Sequence, residues 1–488
     1  MRFEYAPAPE SRSVVRLRDS YGLFIGGAFT GGSSVSKTIS PATEEVLAEV
    51  TIGVADDVDR AVAAARHAYE RTWSVMPGRE RGKYLFRIAR LLADRAREFA
   101  VLETMDNGKP IRESGDVDVP LASAHFFYHA GWADKLGYAG FGPSPRPLGV
   151  VGQVIPWNFP LLMLASKIAP ALACGNTVVL KPAETTPLTA MLFAEVCQQA
   201  DLPPGVVNIV TGDGQTGRLL AAHPGIDKIA FTGSTAVGKE IARECAVSGR
   251  RHTLELGGKA ANIVCEDAPL PEAVEGIVNG IFFNQGHVCC AGSRLLVQES
   301  IAEEVLESLQ RRMVTLRLGD PMDVSIDIGA VNSRVQLDRI ESLTAAAVAD
   351  GAELWSAPCA LPDRGFWYPP TLVMNTPAAS PITRQEIFGP VLTVGTFRTP
   401  DEAVKKANAT PYGLSAGVWT SRGSLALELA SRLRVGVVWA NTFNRFDPAS
   451  PFGGYKESGF GREGGRHGLE AYLDVVATDA AVAGGSDV

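Results

Sequence analysis

Two patterns are missing from the sequence: a long uninterrupted apolar run and cysteines at metal or redox spacing. The most apolar stretch, LLMLASKIAPALACG, contains Lys167 and Pro170 and is too short to span a bilayer. The beginning of the sequence, MRFEYAPAPESRSVVRLRDS, has no apolar core of a signal peptide and carries acidic residues. These absences predict a cytoplasmic protein with no membrane segment.

An excess of basic charge is also absent. The 46 lysines and arginines are outnumbered by 54 acidic residues, so the formal net charge is −8. This balance disfavours a nucleic-acid partner. The seven cysteines are odd in number and form no CxxC or Cys/His ligand pattern. They predict free thiols in a reducing compartment and no metal site.

What the sequence does contain is a regular alternation of strand and helix signals. A chain of 488 residues is too long for one ordinary core, so two or three domains are expected. Between 150 and 267, short β-branched runs alternate with amphipathic segments, which predicts a parallel sheet covered on both faces. After LELGGK the rhythm restarts and continues to about 457. The fold class is therefore α/β, with a doubly wound nucleotide-binding domain followed by a second α/β domain.

Two glycine-containing stretches compete for a cofactor phosphate. GDGQTG at 212–217 matches G-x-G-x-x-G, but it lies deep in the series and precedes a short helix. FTGSTAVG at 231–238 places Gly233 and Ser234 between a strand and a good helix, where free N–H groups can bind phosphate. Glu184, at the end of another strand with Lys181, is suited to ribose hydroxyls and would repel a 2′-phosphate. NAD is therefore favoured over NADP.

Seven short motifs then follow one another along the sequence in a characteristic order. They are PWNFP (156–160), KPAE (181–184), FTGS (231–234), LELGGK (254–259), NQGHVCCAGSR (284–294), EIFGPV (386–391) and SPFGGYKESGFGRE (450–463). Together they closely resemble the aldehyde dehydrogenase superfamily over roughly residues 21–478. FEYAPAPES with YGLFIGG further resembles bacterial relatives of aldehyde dehydrogenase family 16.

The resemblance implies a three-part subunit. After a leader at 1–20, a Rossmann-like NAD-binding domain would cover 21–125 and 146–257, and the catalytic domain 258–457. A small β oligomerisation arm would comprise 126–145 and 458–488, in a homodimer or homotetramer. The strand signal near the end of the sequence could complete a neighbouring subunit's sheet or pair within its own chain, and the pattern favours the neighbour.

The resemblance also assigns the chemistry. Cys289 matches the nucleophile, and Asn158 matches the side-chain donor that stabilises the oxyanion together with the Cys289 N–H. Glu255 matches the general base, and it favours hydrolysis over transfer to coenzyme A. Glu463 matches a second acid that helps to relay protons. We expect Cys290 to be a packed neighbour.

His287 is a tempting base because it lies two residues before Cys289. That separation on one turn does not place an imidazole on its neighbour's sulfur, and the family often has glutamine at this position. We therefore expect His287 to be a loop residue.

The remaining site residues follow from the same resemblance. Pyrophosphate would lie at Gly233 and Ser234, adenine near Gly214, the adenosine ribose at Lys181 and Glu184, the nicotinamide ribose at Gln336 and Glu386, and the nicotinamide beside Leu256 and Phe388; Ile155, Pro156, Trp157, Phe231, Val237 and Gly238 complete the cofactor set. The substrate tunnel would be lined by Phe159, Met163, Ser166, Phe446 and Phe452. Because the family often carries an aromatic residue near 166, Ser166 implies additional room. These walls suit an aromatic or medium-length aliphatic aldehyde.

The predicted function is NAD-dependent oxidation of an aldehyde to the free acid through a cysteine hemithioacetal and a thioester. Two alternatives remain open: a catalytically quiet scaffold of the same family, and a cysteine esterase that needs no cofactor. Retention of Cys289, Glu255 and Asn158 argues against the first. The esterase leaves the nucleotide-binding half unexplained.

Overall fold

Two large sheets organise the chain in the computed structural model, which describes residues 6–142, 145–377 and 379–475. The strands are β1 Ser20–Tyr21, β2 Leu23–Ile25, β3 Ala28–Thr30, β4 Val35–Ile39, β5 Val46–Thr51, β6 Arg146–Pro147, β7 Val150–Val154, β8 Thr177–Lys181, β9 Val207–Ile209, β10 Lys228–Thr232, β11 Arg251–Glu255, β12 Ala261–Val264, β13 Arg294–Gln298, β14 Glu353–Ser356, β15 Thr371–Met374, β16 Val391–Phe397, β17 Tyr412–Gly413, β18 Ser415–Trp419, β19 Val437–Ala440, β20 Tyr455–Lys456, β21 Gly459–Phe460 and β22 Leu473–Asp474. The predicted α/β class is confirmed.

The helices flank these sheets. They are α1 Ala55–Ala68, α2 Gly78–Asp94, α3 Ala96–Asn107, α4 Ile111–Glu113, α5 Val119–Trp132, α6 Pro160–Ala173, α7 Leu188–Gln199, α8 Gly214–Ala222, α9 Thr235–Ser248, α10 Leu270–Phe282, α11 Ala302–Met313, α12 Arg334–Ala349, α13 Pro400–Asn408, α14 Gly423–Arg432 and α15 Gly465–Glu470. Within the described ranges, no helix combines the length and apolar character needed to cross a membrane.

The first sheet has the order β21-β11-β10-β7-β8-β9-β2-β3, and its five central strands are parallel. From β7 the chain builds outward to β8 and β9, and then returns to the other side of β7 to add β10 and β11. The strand order therefore reverses between β7 and β10. In open α/β sheets such a point, at the carboxyl ends of the strands, is where ligands bind.

The second sheet has the order β14-β15-β16-β13-β12-β18-β19, with all neighbours parallel except β14 and β15. It begins at Ala261, only a few residues after β11 ends at Glu255. Glu255 therefore stands where the chain passes from one sheet to the other.

The two ends of the described chain are tied to the body. Near the beginning, the N–H of Glu10 donates to the carbonyl of Met322 at 2.7 Å. Near the end, β22 pairs antiparallel with β6 of the same chain, with Leu473 opposite Pro147. For β22 the structure therefore shows pairing within its own chain, and pairing with a neighbour's sheet stays a prediction. Residues 476–488 of the predicted arm lie outside the described residues.

Candidate active site

One cavity of about 690 Å³ brings together the four predicted catalytic side chains, Asn158, Glu255, Cys289 and Glu463. Asn158 lies in the loop between β7 and α6, and Glu255 is the last residue of β11. Cys289 follows α10, and Glu463 follows β21. The site thus forms at the reversal of the first sheet, as the topology predicts.

The reactive thiol sits on an irregular turn. Helix α10 ends at Phe282, because Asn284 and Gln285 adopt positive φ angles of 49° and 51°. Cys289 is half-buried at the cavity, whereas Cys290 is 1% exposed. Hydrogen bonding to the Cys290 thiol, together with burial, raises the pKa of Cys289 well above its ordinary value. The thiol therefore needs a base to become a nucleophile.

The predicted oxyanion donor is fixed relative to this turn. The Nδ2 of Asn158 donates one hydrogen bond to the carbonyl of His287 at 2.7 Å, and the Nδ2 of Asn284 donates to the carbonyl of Asn158 at 2.8 Å. A carboxamide nitrogen has two hydrogens, so one N–H of Asn158 remains for a substrate oxygen. Asn284 was not predicted, although it lies within the NQGHVCCAGSR motif.

Glu255 is buried, and neither of its carboxyl oxygens has a hydrogen-bond partner among the described residues. Burial and the nearby Glu463 raise the pKa of Glu255 well above its ordinary value. Glu463 itself is ion-paired with the fully buried Lys167. The pair was missed, although a lysine inside the otherwise apolar α6 is a signal that could have identified it.

His287 lies behind the site. Its ring packs edge-on against Trp157, with centroids 4.8 Å apart, and stacks on Phe388 at 5.8 Å. Burial lowers the pKa of His287 to about 3, so the imidazole is neutral. Neither ring nitrogen has a hydrogen-bond partner within the described part of the chain. This environment supports the expectation that His287 is a loop residue.

The beginning of α9 fits a phosphate. Ser234 caps this helix, accepting the N–H of Val237 at 3.4 Å, and the first N–H groups of a helix have no partner within it. The hydroxyls of Thr232 and Thr235, which line the same cavity, are buried without a hydrogen-bond partner among the described residues. A Cβ at Gly233 would lie 2.5 Å from the Phe231 ring, so this turn is closely packed.

The competing GDGQTG stretch is already capped. It forms the beginning of α8, where the Asp213 carboxylate accepts the N–H groups of Gln215 and Thr216 at 2.8 and 3.2 Å. A phosphate would meet this negative charge in place of free donors. The structure therefore favours FTGS over GDGQTG for the phosphate.

The predicted cofactor residues fall into two groups. Those that line the cavity are Pro156, Trp157, Gly233, Ser234, Leu256, Gln336, Glu386 and Phe388, and those that do not are Ile155, Lys181, Glu184, Gly214, Phe231, Val237 and Gly238. Within the second group, Lys181 pairs with Glu184 at 3.6 Å. The Cδ of Lys181 would lie 3.5 Å from a Cβ at Gly217 of α8, so these strand-end charges adjoin that helix.

The five predicted substrate residues all line the cavity, and their rings are paired. Phe159 stacks on Phe283 with centroids 6.1 Å apart, and Phe446 meets Phe452 at 6.0 Å. Met163 and Ser166 lie on α6. Further cavity-lining residues were not predicted from the sequence, among them Leu121, His125, Leu162, Phe283, Trp439, Arg445, Thr235, Ala236, Lys239, Arg339 and Tyr412.

A doubly wound sheet with a capped helix at its reversal point and a thiol in the same cleft defines a nucleotide-dependent enzyme that reacts through cysteine. The chain belongs to the aldehyde dehydrogenase family, whose sequence profile matches residues 29–478.

Individual relatives cover nearly the whole chain. An aldehyde dehydrogenase of Alternaria alternata is 43% identical over 464 residues, covering 93% of either protein. The mitochondrial benzaldehyde dehydrogenase of Antirrhinum majus is 43% identical over 94% of this chain and 89% of its own length. The NAD+ complex of an aldehyde dehydrogenase from Bacillus cereus superposes with a TM-score of 0.91 at 39% identity, covering 94% of this chain and 96% of that one. The predicted family and enzyme class are confirmed.

Proposed function

We propose that this chain oxidises an aldehyde to the free carboxylic acid, with Cys289 as nucleophile, Asn158 as oxyanion donor and Glu255 as general base. The observation that carries the proposal is the convergence of these side chains, with Glu463, on one cavity. They come from separate elements of both halves of the fold, so their meeting is not a consequence of sequence proximity.

The first step is attack of the Cys289 sulfur on the aldehyde carbon, which forms a hemithioacetal. The thiol proton leaves to Glu255 or water, because the raised pKa of Cys289 keeps the free thiol protonated. The free N–H of Asn158 and the Cys289 N–H then stabilise the developing oxyanion. Loss of one such donor costs about 2.7–4 kcal/mol of transition-state stabilisation.

NAD is the cofactor, as confirmed by the NAD+ complex of the Bacillus cereus relative. Ser234 and the first N–H groups of α9 would hold its phosphates, and Lys181 with Glu184 its adenosine ribose. NAD would supply the hydride acceptor. Loss of hydride turns the hemithioacetal into a thioester of Cys289, which has the oxidation level of a carboxylic acid. The carboxylate of Glu184, 58% exposed, disfavours a 2′-phosphate and supports NAD over NADP.

The last step is hydrolysis of the Cys289 thioester. Glu255 would take a proton from water, and the raised pKa that results from its burial makes it a stronger base than an exposed glutamate. Glu463 and Lys167 would carry the proton away, since this buried pair adjoins Glu255. Because water accepts the acyl group of the thioester, the product is the free acid.

We propose a homodimer or homotetramer in the cytoplasm, with the division into NAD-binding domain, catalytic domain and arm given above. All seven cysteines are free thiols, which supports a reducing compartment. Light scattering of the purified protein distinguishes dimer from tetramer.

The decisive experiment mixes the protein with NAD and a panel of aromatic and aliphatic aldehydes and follows NADH absorbance. Acid production in step with NADH supports the proposal, and silence across the panel at alkaline pH contradicts it. Ester hydrolysis without NAD, unaccompanied by aldehyde oxidation, would favour the esterase alternative. Cys289→Ala is the control for both activities.

A further inference from the structure

One side of the substrate cavity is formed by a face of α5 that the catalytic mechanism does not use. Leu121 and His125 are four residues apart, which places them on the same face of α5, and Val117 lies in the helical turn directly before this helix. All three line the cavity. Two of them are apolar, so the imidazole of His125 is the polar group on this wall.

The imidazole is buried without a partner. His125 is 9% exposed, and its ring has no hydrogen bond to any described residue. Its Nδ1 is wholly enclosed, so Nε2 is the ring nitrogen that a molecule in the cavity can reach. Buried polar atoms nearly always find a partner, and an unsatisfied one costs free energy. A bound molecule in the cavity is the natural source of that partner.

The neighbours of His125 do not supply the missing bond. His129, one turn further along α5, stacks on it with centroids 5.9 Å apart, but its Nδ1 bonds to the backbone carbonyl of His125. On α6, the Ser166 hydroxyl donates to the carbonyl of Met163 at 3.1 Å. The small Ser166 side chain leaves the space on that wall that a larger residue would fill.

The ring is neutral at working pH. Burial, reinforced by the proximity of His129, lowers the pKa of His125 to about 3. A neutral imidazole offers one donor and one acceptor nitrogen. A hydroxyl group can satisfy Nε2 in either tautomer, because a hydroxyl both donates and accepts a hydrogen bond.

We propose that His125 recognises a hydroxyl group on the substrate, and that the preferred substrates are aromatic aldehydes that carry a ring hydroxyl. The aromatic ring matches the paired walls of Phe159 with Phe283 and Phe446 with Phe452. This inference rests on the proposed aldehyde oxidation and specifies its substrate class. His125 acts on specificity, through binding, and takes no part in bond making.

The test compares each hydroxyl-bearing aldehyde with a methyl isostere. We would measure kcat/KM for 3- and 4-hydroxybenzaldehyde and for 3- and 4-methylbenzaldehyde, following the acid by chromatography. For at least one ring position, the hydroxyl-to-methyl ratio should fall about tenfold in His125→Leu, the scale of one lost hydrogen bond. The matched control is His129→Leu, which removes the stacked neighbour but no cavity-lining atom and should keep the wild-type ratio.

A binding measurement separates this inference from the proposed function. In Cys289→Ala with NAD present, the Kd of each aldehyde can be followed by tryptophan fluorescence, with and without His125→Leu. Selective weakening of the hydroxylated compounds supports the inference even if no turnover is seen, in which case the proposed function alone fails. Equal Kd changes for hydroxyl and methyl compounds, or an unchanged kcat/KM ratio, overturn it. Unfolding midpoints of the variants exclude a global loss of structure.

Discussion

At the scale of single residues, the cavity disfavours the charged forms of both the thiol and its base. The pKa of Cys289 is raised by its hydrogen bond to Cys290 and by burial, and the pKa of Glu255 by burial and by Glu463. Neither group gains its reactivity from an easy ionisation. The chemistry instead depends on proton transfer between neighbours in a poorly solvated space.

This arrangement predicts that activity rises with pH. The reactive forms are thiolate and carboxylate, and raised pKa values mean that both forms become populated only as the pH increases above the ordinary range of each group. Wild-type kcat/KM should therefore increase into the alkaline range, and Glu255→Gln should slow the release of acid at every pH. A profile that falls from neutral to alkaline pH, in a protein still folded by circular dichroism, would contradict this reading.

The two adjacent cysteines give a second prediction. Cys289→Ala should lower kcat by at least about three orders of magnitude, as expected when a nucleophile is removed. Cys290→Ala should remain active, because its side chain is buried beneath the turn. Since the Cys290 thiol contributes to the raised pKa of Cys289, its removal should also shift the rising limb of the pH profile to lower pH. Equal losses in the two variants would contradict these roles.

At the scale of elements, a buried ionic cluster holds the two catalytic loops. Lys109 pairs with Asp118 at 2.5 Å, inside the protein. Next to this pair, Glu103 accepts the N–H of Leu161 at 3.1 Å, behind the Asn158 loop. Glu113 accepts the N–H of Asn284 at 2.9 Å, on the Cys289 turn.

Removing the cation from this cluster should destabilise the protein. Lys109→Met leaves buried carboxylates without their cation, which costs on the order of 3–5 kcal/mol in unfolding free energy. The positions of Asn158 and Cys289 depend on the same cluster, so kcat should fall together with stability. Urea unfolding and steady-state kinetics check both effects. The control Lys83→Met, whose ion pair with Glu80 is on the surface, should behave like wild type.

The strand-end pair at β8 gives a prediction about the cofactor. Glu184→Gln removes the charge that would oppose a 2′-phosphate while preserving the size of the side chain. The ratio of kcat/KM for NAD to that for NADP should therefore fall, mainly through a lower KM for NADP. An unchanged ratio would show that Glu184 does not select the cofactor.

The sequence predicted elements well where a local pattern determines them. The β-branched runs of β7, β8 and β10 and the restart after Glu255 were readable because buried parallel strands are continuously apolar. The end of α10 was not, because the left-handed turn at Asn284 is set by tertiary packing: a Cβ at Gly286 would lie 2.1 Å from the carbonyl of Gly389. The sequence of α5 likewise gave no signal for a role of His125, because this helix is apolar or aromatic on most sides and has no distinctive face.

At the scale of the whole molecule, the last described strand completes the body of its own chain. Tyr472 and Leu473 are buried in the hydrophobic core that contains β8 and α6, and the Nδ2 of Asn176 donates to the carbonyl of Tyr472 at 2.9 Å. The C-terminal region is therefore part of the fold up to this strand, whatever it contributes to assembly.

Truncation tests this conclusion. Deleting 472–488 exposes the space filled by two large side chains and should cost about 3–6 kcal/mol of stability. Deleting only 476–488 keeps β22 and should leave the unfolding midpoint close to that of the full chain. Thermal unfolding compares the two, and an equal loss in both would place the stabilising contacts beyond Val475.

The passage of the chain from the first sheet to the second, directly after Glu255, has a consequence for folding. Asn158 follows a strand of the first sheet, Glu255 ends another strand of that sheet, and Cys289 precedes a strand of the second sheet. Neither half can therefore assemble the reactive constellation alone. Recovery of turnover during refolding therefore reports the docking of the two halves, whereas helix content reports only the formation of each. A delay between the recovery of helix content and the recovery of turnover would measure how long the docking of the two halves takes.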